Sequence, residues 1–138
     1  MGGEKEKNAW YNSSNMPIKS FRDLEVYNES LELAIEVDKL LRTFPKDEKF
    51  LLIDQMKRAS RGIAPLIAEG YAKRESIKEF QKFVRDALAE ANEMLTHLEL
   101  AIRFKYVKDQ ETGTGLIEGY DRLGKKLTNL KDHWQNFK

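Results

Sequence analysis

Glu93 and His97 stand four residues apart and so share one face of a helix, which is the carboxylate–imidazole spacing of a metal ligand pair. In a helical protein the chemistry this suggests is a di-metal carboxylate centre. That centre needs inward Glu residues and a Glu-x-x-His pair on each of two helices. No Glu-x-x-His occurs, and the second histidine, His133, has no Glu three or four residues before it. Both histidines therefore read as structural or exposed residues. The chain has no cysteine, which removes a disulfide framework, a thiolate nucleophile and a thiolate zinc site. Gly-rich phosphate loops and nucleophile elbows are absent, and Ser60 and Ser76 have no recognisable base. Glu69, beside Gly70, reads as a structural carboxylate bonding backbone amides or a basic neighbour such as Arg58, rather than as an acid–base group. The expectation is no catalytic residue, no metal and no cofactor.

The residue types that remain are cations. The formal net charge is only +1, but it is unevenly spread. Residues 21–56 carry five Lys/Arg against nine Asp/Glu, a net −4, whereas residues 57–85 carry eight Lys/Arg against three Glu, a net +5. The eight are Lys57, Arg58, Arg61, Lys73, Arg74, Lys78, Lys82 and Arg85, and the chemistry open to them is phosphate binding with counterion release. Aromatic residues interleaved with them are scarce, so backbone binding is expected over base stacking.

These cations need helices to present them. At 138 residues, with 41% hydrophobic and 34% charged content, the chain fits one ordinary core with well-solvated outer faces. The longest apolar run, residues 63–68, is far short of the ~20 residues of a membrane span, and the N-terminus lacks an apolar signal core. A cytoplasmic protein with no membrane contact is expected. Residues 1–19 read as a flexible tail, with Trp10 and Tyr11 as a possible partner anchor. The bundle is expected over residues 20–138.

The first helix is predicted from Ser20, where Asp23 completes a capping box, to just before Phe44 and Pro45. Its apolar residues form two stripes: Leu24, Tyr27, Leu31, Ala34, Ile35 and Leu41, then Leu33, Val37, Leu40 and Phe44. This face is wider than the roughly 100° that one neighbour covers, which requires either a second subunit or a place between two helices of the same bundle. The second helix follows Pro45 and the acidic Asp47 and Glu48, with Leu52, Met56, Ala59, Ile63 and Ile67 on its core side and Lys57 and Arg61 opposite. Pro65 is expected to kink or loosen it near Gly62, and Gly70 to end it. The third helix runs from a capping box at Ser76 and Glu79 to about Phe104. Its apolar period is Ile77, Phe80, Val84, Ala87, Leu88, Ala91, Met94 or Leu95, Leu98 and Ala101 or Ile102. Arg74, Lys78, Lys82 and Arg85 lie off that face and could join the basic side of the second helix. Residues 105–114 form a loop with Gly113 and Gly115 as breakers. In the fourth helix Leu116, Tyr120, Leu123, Leu127, Leu130, Trp134 and Phe137 alternate steps of four and three, a heptad seam. Gly119 and Gly124 cost about 1 kcal/mol each against Ala unless a neighbour approaches closely. The fold class is all-α, an antiparallel up-down-up-down four-helix bundle.

The order FRDLEVY at 21–27, FP at 44–45, QMKRA from Gln55, IAEGY at 67–71, EFQKFV at 79–84, and Glu93 followed by Tyr106 and Val107 resembles a bacterial four-helix-bundle family. That family includes proteins encoded in intervening sequences of 23S ribosomal RNA genes, labelled S23, and the accessory variability determinants of diversity-generating retroelements. Its motif positions include Gln55, Pro65, Glu69, Gly70 and Glu93. The resemblance implies a ring-like homopentamer with a positively charged surface, and in the retroelement branch binding to RNA and a reverse transcriptase. This chain departs from the pattern at Leu66, where the family has Asn, at Ala89 and Glu90 for Gly-Ser, at His97 for Gln, and at Lys105 for Gly. The functional expectation is a non-catalytic, oligomeric accessory protein that binds RNA or DNA. The alternative is a protein–protein scaffold with no direct nucleic-acid role.

Overall fold

The computed structural model describes residues 17–137; residues 1–16, with Trp10 and Tyr11, lie outside them. Among the described residues there are four long helices and no strand: α1 (Glu25–Leu41), α2 (Leu52–Ala72), α3 (Ile77–Arg103) and α4 (Gln110–Asp132). Short 3-10 turns occupy Phe21–Asp23, Lys46–Glu48 and Trp134–Asn136. The helices are arranged around the core in chain order, and α4 closes the ring of contacts onto α1.

The contacts fix the directions. Between α2 and α3, Gly62 faces Glu90 while Gly70 faces Phe83, so one helix ascends as the other descends. Gly113 against Ile102, Gly124 against Leu88, and the Gln81 side chain bonded to the Lys131 carbonyl give the same sense to α3 and α4. Gly119 against Leu33 and Lys126 against Glu25 do so for α4 and α1.

The apolar periods supply the core. Met56, Ile63, Phe80, Ala87, Met94, Leu98, Tyr120, Leu123 and Leu127 have no exposed surface. Every residue of the seven-residue seam from Leu116 to Phe137 is buried, its last two members lying in and just after the closing 3-10 turn, where Trp134 packs on Phe80 at 4.6 Å between ring centroids. Tyr120 buries its hydroxyl with no hydrogen-bond partner among the described residues, and burial pushes the phenol well above its ordinary range.

Several boundaries differ from the sequence reading. The capping box of Ser20 and Asp23 is present, but it caps the 3-10 turn, and α1 begins after it at Glu25. Ile18 already packs against the core, and the Lys19 amide donates to Asp23 at 2.8 Å. At Ser76 the hydroxyl accepts from the Glu79 amide, and α3 follows to Arg103 as expected. α2 is continuous through Pro65, which lies on the exposed side, where water can satisfy the Arg61 carbonyl it strands. Gly70 does not end α2, which continues to Ala72. It is buried, without positive φ, and a Cβ there would stand 2.9 Å from Phe83 Cβ, so the glycine is a point of close helix approach. Gly113 and Gly115 are not breakers either: both lie inside α4, whose N-cap is Asp109, and Gly113 packs on Val107 and Ile102. Gly119 meets the expectation of a close neighbour, since a Cβ there would lie 2.6 Å from Leu33 Cδ2.

The apolar face of α1 is only partly covered. Leu24, Val37, Leu40 and Leu41 are buried, but Leu31 and Ile35 are 41% and 57% exposed. Ile77, placed on the core face by its period, is also largely exposed at the start of α3.

Candidate nucleic-acid interface

All eight cations from Lys57 to Arg85 are exposed. Three carry acidic partners: Arg58 with Asp54 at 2.9 Å, Arg61 with Asp38 at 3.2 Å, and Lys82 with Asp86 at 3.0 Å. Glu69 is exposed and is not the partner of Arg58, because Asp54, one turn earlier on α2, reaches that guanidinium first.

The basic sides of α2 and α3 do not merge. Arg61 reaches across to Asp38 of α1, and Lys57, one turn earlier, shares that flank. On α3, Gln81 and Leu88 touch α4, which puts Arg85 and Lys78 on the α4-facing flank. The seam between α2 and α3 instead holds Gly62 against Glu90 and Gly70 against Phe83. Desolvation, then the charge of Glu93, holds the Glu90 carboxyl above its ordinary range. Each helix must turn its apolar stripe to a core and its small residues to its neighbour, so the outer cations of adjacent helices are rotated apart.

Two basic patches result. One lies at and beyond the α2–α3 turn. Arg74 donates to the Tyr71 carbonyl at 3.0 Å and stacks over the Tyr71 ring, while Lys73 and Lys82 both lie within 5 Å of the Phe83 ring. Lys78 and Arg85 extend this patch along α3. The other patch is at the corner where α1 ends and α2 begins. There Lys57 borders a concavity of about 550 Å³ lined also by Asp38, Leu41, Arg42, Phe44, Lys46, Lys49 and Ile53.

Arg42, Lys46 and Lys49 were hidden in the sequence because they sit in a segment whose summed charge is −4. Of the acids in that sum, Glu48 and Asp38 are engaged, whereas Glu32 and Asp47 are exposed with no ion pair among the described residues. Glu48 accepts from the Tyr106 hydroxyl at 2.9 Å and from the Leu52 amide at 3.1 Å, and the first of these bonds, with desolvation, raises the Tyr106 phenol. Asp38 is shared by Arg42 and Arg61. Desolvation works against its charge, but the hydrogen bonds and charges of Arg42 and then Arg61 prevail and hold its carboxyl below the ordinary range.

His97 is buried, and its Nε2 lies 3.2 Å from Glu93 Oε1, while His133 is exposed. Among the described residues no group of three His, Asp or Glu side chains is placed to hold a metal ion. No helix among them is long and apolar enough to cross a membrane. Of the motif positions, Gln55, Pro65, Glu69 and Glu93 are exposed and Gly70 is buried.

The family model for the 23S rRNA-intervening sequence protein matches residues 22–129, which spans all of α1, α2 and α3 and most of α4. A solved structure of a protein with unknown function from the S23 ribosomal protein family of Bacteroides thetaiotaomicron is 28% identical to this chain. The likeness covers 78% of this chain and 95% of that one, with a TM-score of 0.69. No curated protein matches the chain.

Proposed function

The chain belongs to the 23S rRNA-intervening sequence protein family, and from that premise we propose a non-catalytic accessory protein that binds the phosphate backbone of RNA or DNA on its exposed basic flanks. The observation that carries this reading is the state of the cations. Lys57, Lys73, Arg74, Lys78 and Arg85 are exposed with no carboxylate partner among the described residues, so their charges are available to phosphates without breaking an ion pair. The reading includes an up-down-up-down bundle assembled as a homopentamer, so that each modest patch recurs around a ring and gains by multivalency. A reverse transcriptase is a candidate protein partner of that ring.

The test is binding of labelled RNA and DNA across a salt series. Affinity is expected to fall steeply with salt. Lys57→Glu with Arg61→Glu, and separately Lys78→Glu with Arg85→Glu, should each weaken binding and flatten the salt slope by roughly 0.9 for each duplex phosphate no longer neutralised. A wild-type protein that binds neither nucleic acid at about 50 mM salt, where phosphate binding is strong, overturns the reading.

A second reading, a protein–protein scaffold, is favoured by the uncovered Leu31 and Ile35 on α1. Retention of a protein partner after nuclease treatment, with no nucleic acid bound, would favour it over the first.

A further inference from the structure

We propose that the concavity at the α1–α2 corner binds one unstacked nucleotide of a single-stranded nucleic acid, with its phosphate on Arg42, Lys46, Lys49 and Lys57 and its base against the ring of Phe50. This rests on the nucleic-acid reading above and adds to it a site and a strand form.

Four cations and one carboxylate line the concavity, and the carboxylate, Asp38, is already bonded to Arg42 and to Arg61. Lys46, Lys49 and Lys57 have no ion-pair partner among the described residues. Of the other acids at the corner, Glu48 bonds Tyr106 and the Leu52 amide, Asp54 pairs with Arg58 on the surface, and Asp47 is exposed but is not among the residues that line the concavity. What remains is a positive rim around a floor of Leu41, Phe44 and Ile53. A cavity of about 550 Å³ lies inside the roughly 300–1,000 Å³ range of small-ligand pockets.

The base has its own contact. Phe50 is 81% exposed, the most exposed large apolar side chain among the described residues, and Lys49 Nζ lies 5.3 Å from its ring centroid. An aromatic ring held in water beside a lining lysine is the arrangement that binds single strands, where the cation takes the phosphate and the ring takes the base face. A duplex keeps its bases stacked inside and offers only phosphates on a convex surface, so it can use the rim but neither the floor nor the ring. An acidic peptide would use the rim alone.

Fluorescence anisotropy with a labelled oligo(U) strand and a labelled duplex of equal length tests this on the full chain. Wild type is expected to prefer the single strand. Phe50→Ala should weaken single-strand binding about tenfold and leave duplex binding unchanged, which corresponds to the loss of one stacked base. Phe50 is exposed, so its truncation removes no core packing. Lys46→Ala with Lys49→Ala should weaken single-strand binding and flatten its salt slope by roughly 0.7 for each strand phosphate no longer neutralised. The site is overturned if wild type binds the single strand but Phe50→Ala and the double lysine variant bind it equally well; phosphate binding elsewhere on the surface then stands. It is also overturned if polyglutamate displaces the oligonucleotide from wild type and from Phe50→Ala at the same concentration. Failure of wild type to bind either form defeats the broader reading as well.

Discussion

Lys105 ends α3 in a left-handed conformation, φ 65°, the one positive φ at a non-glycine among the described residues. The bonds around it define a Schellman motif, with the Tyr106 amide donating to the Ala101 carbonyl at 3.0 Å and the Lys105 amide to the Ile102 carbonyl at 2.9 Å. A side chain at this position costs about 1–2 kcal/mol, and the family pattern has glycine here. Lys105→Gly is therefore expected to stabilise the protein by about 1 kcal/mol after the greater chain entropy of glycine in the unfolded state is subtracted. A rise of roughly 3 °C in Tm would register it, and an unchanged or lower Tm would show that the lysine makes a compensating contact. In the sequence this position stands out as a departure from the pattern, with no sign of its conformation. Gly70 and Gly113 mislead in the opposite sense. Glycine serves both as a left-handed cap and as a place where another chain comes close, and sequence alone does not separate the two uses.

At the scale of elements, the apolar periods were legible because side-chain direction follows the helical repeat, and the seam of α4 was the plainest case. The staple between α1 and α4 was not legible, since nothing in the spacing joins residues so far apart in the chain. Lys126, with 16% of its side chain exposed, bonds both Glu25 and Glu29. Desolvation, opposed by Lys126 and reinforced by Glu25, holds the Glu29 carboxyl above its ordinary range. Desolvation also disfavours the Lys126 ammonium, but the two glutamates prevail and raise it. The stability that Lys126 contributes is thus fully present below its ordinary pKa of 10.5 and is lost only as the pH rises through the higher folded value. Lys126→Met leaves two half-buried carboxylates facing each other and should cost about 3 kcal/mol near neutral pH. The Glu29 carboxyl, already held above 4.5 and freed of the opposing Lys126 charge, then stabilises the variant below the ordinary carboxylate range and ceases to do so as the pH rises through its folded value. The deficit against wild type should accordingly shrink as the pH falls from neutral through the raised folded value of Glu29, as read from urea midpoints. A deficit independent of pH would mean that Lys126 acts by packing its methylenes.

Across the whole molecule, the eight cations were legible as residues but not as two patches, because the rotation of α2 and α3 about their axes is set by which small residues meet at their seam. The same packing settles which apolar residues are left over. The width of the apolar face on α1 is compatible with cover by two neighbours or by another subunit. Contacts with α2 and α4 bury Val37, Leu40 and Leu41 yet leave Leu31 and Ile35 in water, four residues apart on one side of the helix. Two aliphatic side chains spaced one turn apart form a short stripe suited to the same stripe, or to another surface, of a second copy. In a homopentamer five chains of 16.1 kDa give about 80 kDa. Leu31→Glu with Ile35→Glu places charge on that stripe without touching the core, so light scattering should show the assembly falling to the mass of one chain. Far-ultraviolet circular dichroism should stay helical, because neither side chain is needed to close the bundle. A wild-type protein already at the mass of one chain would defeat the ring. An assembly that survives the double substitution would place its interface away from α1.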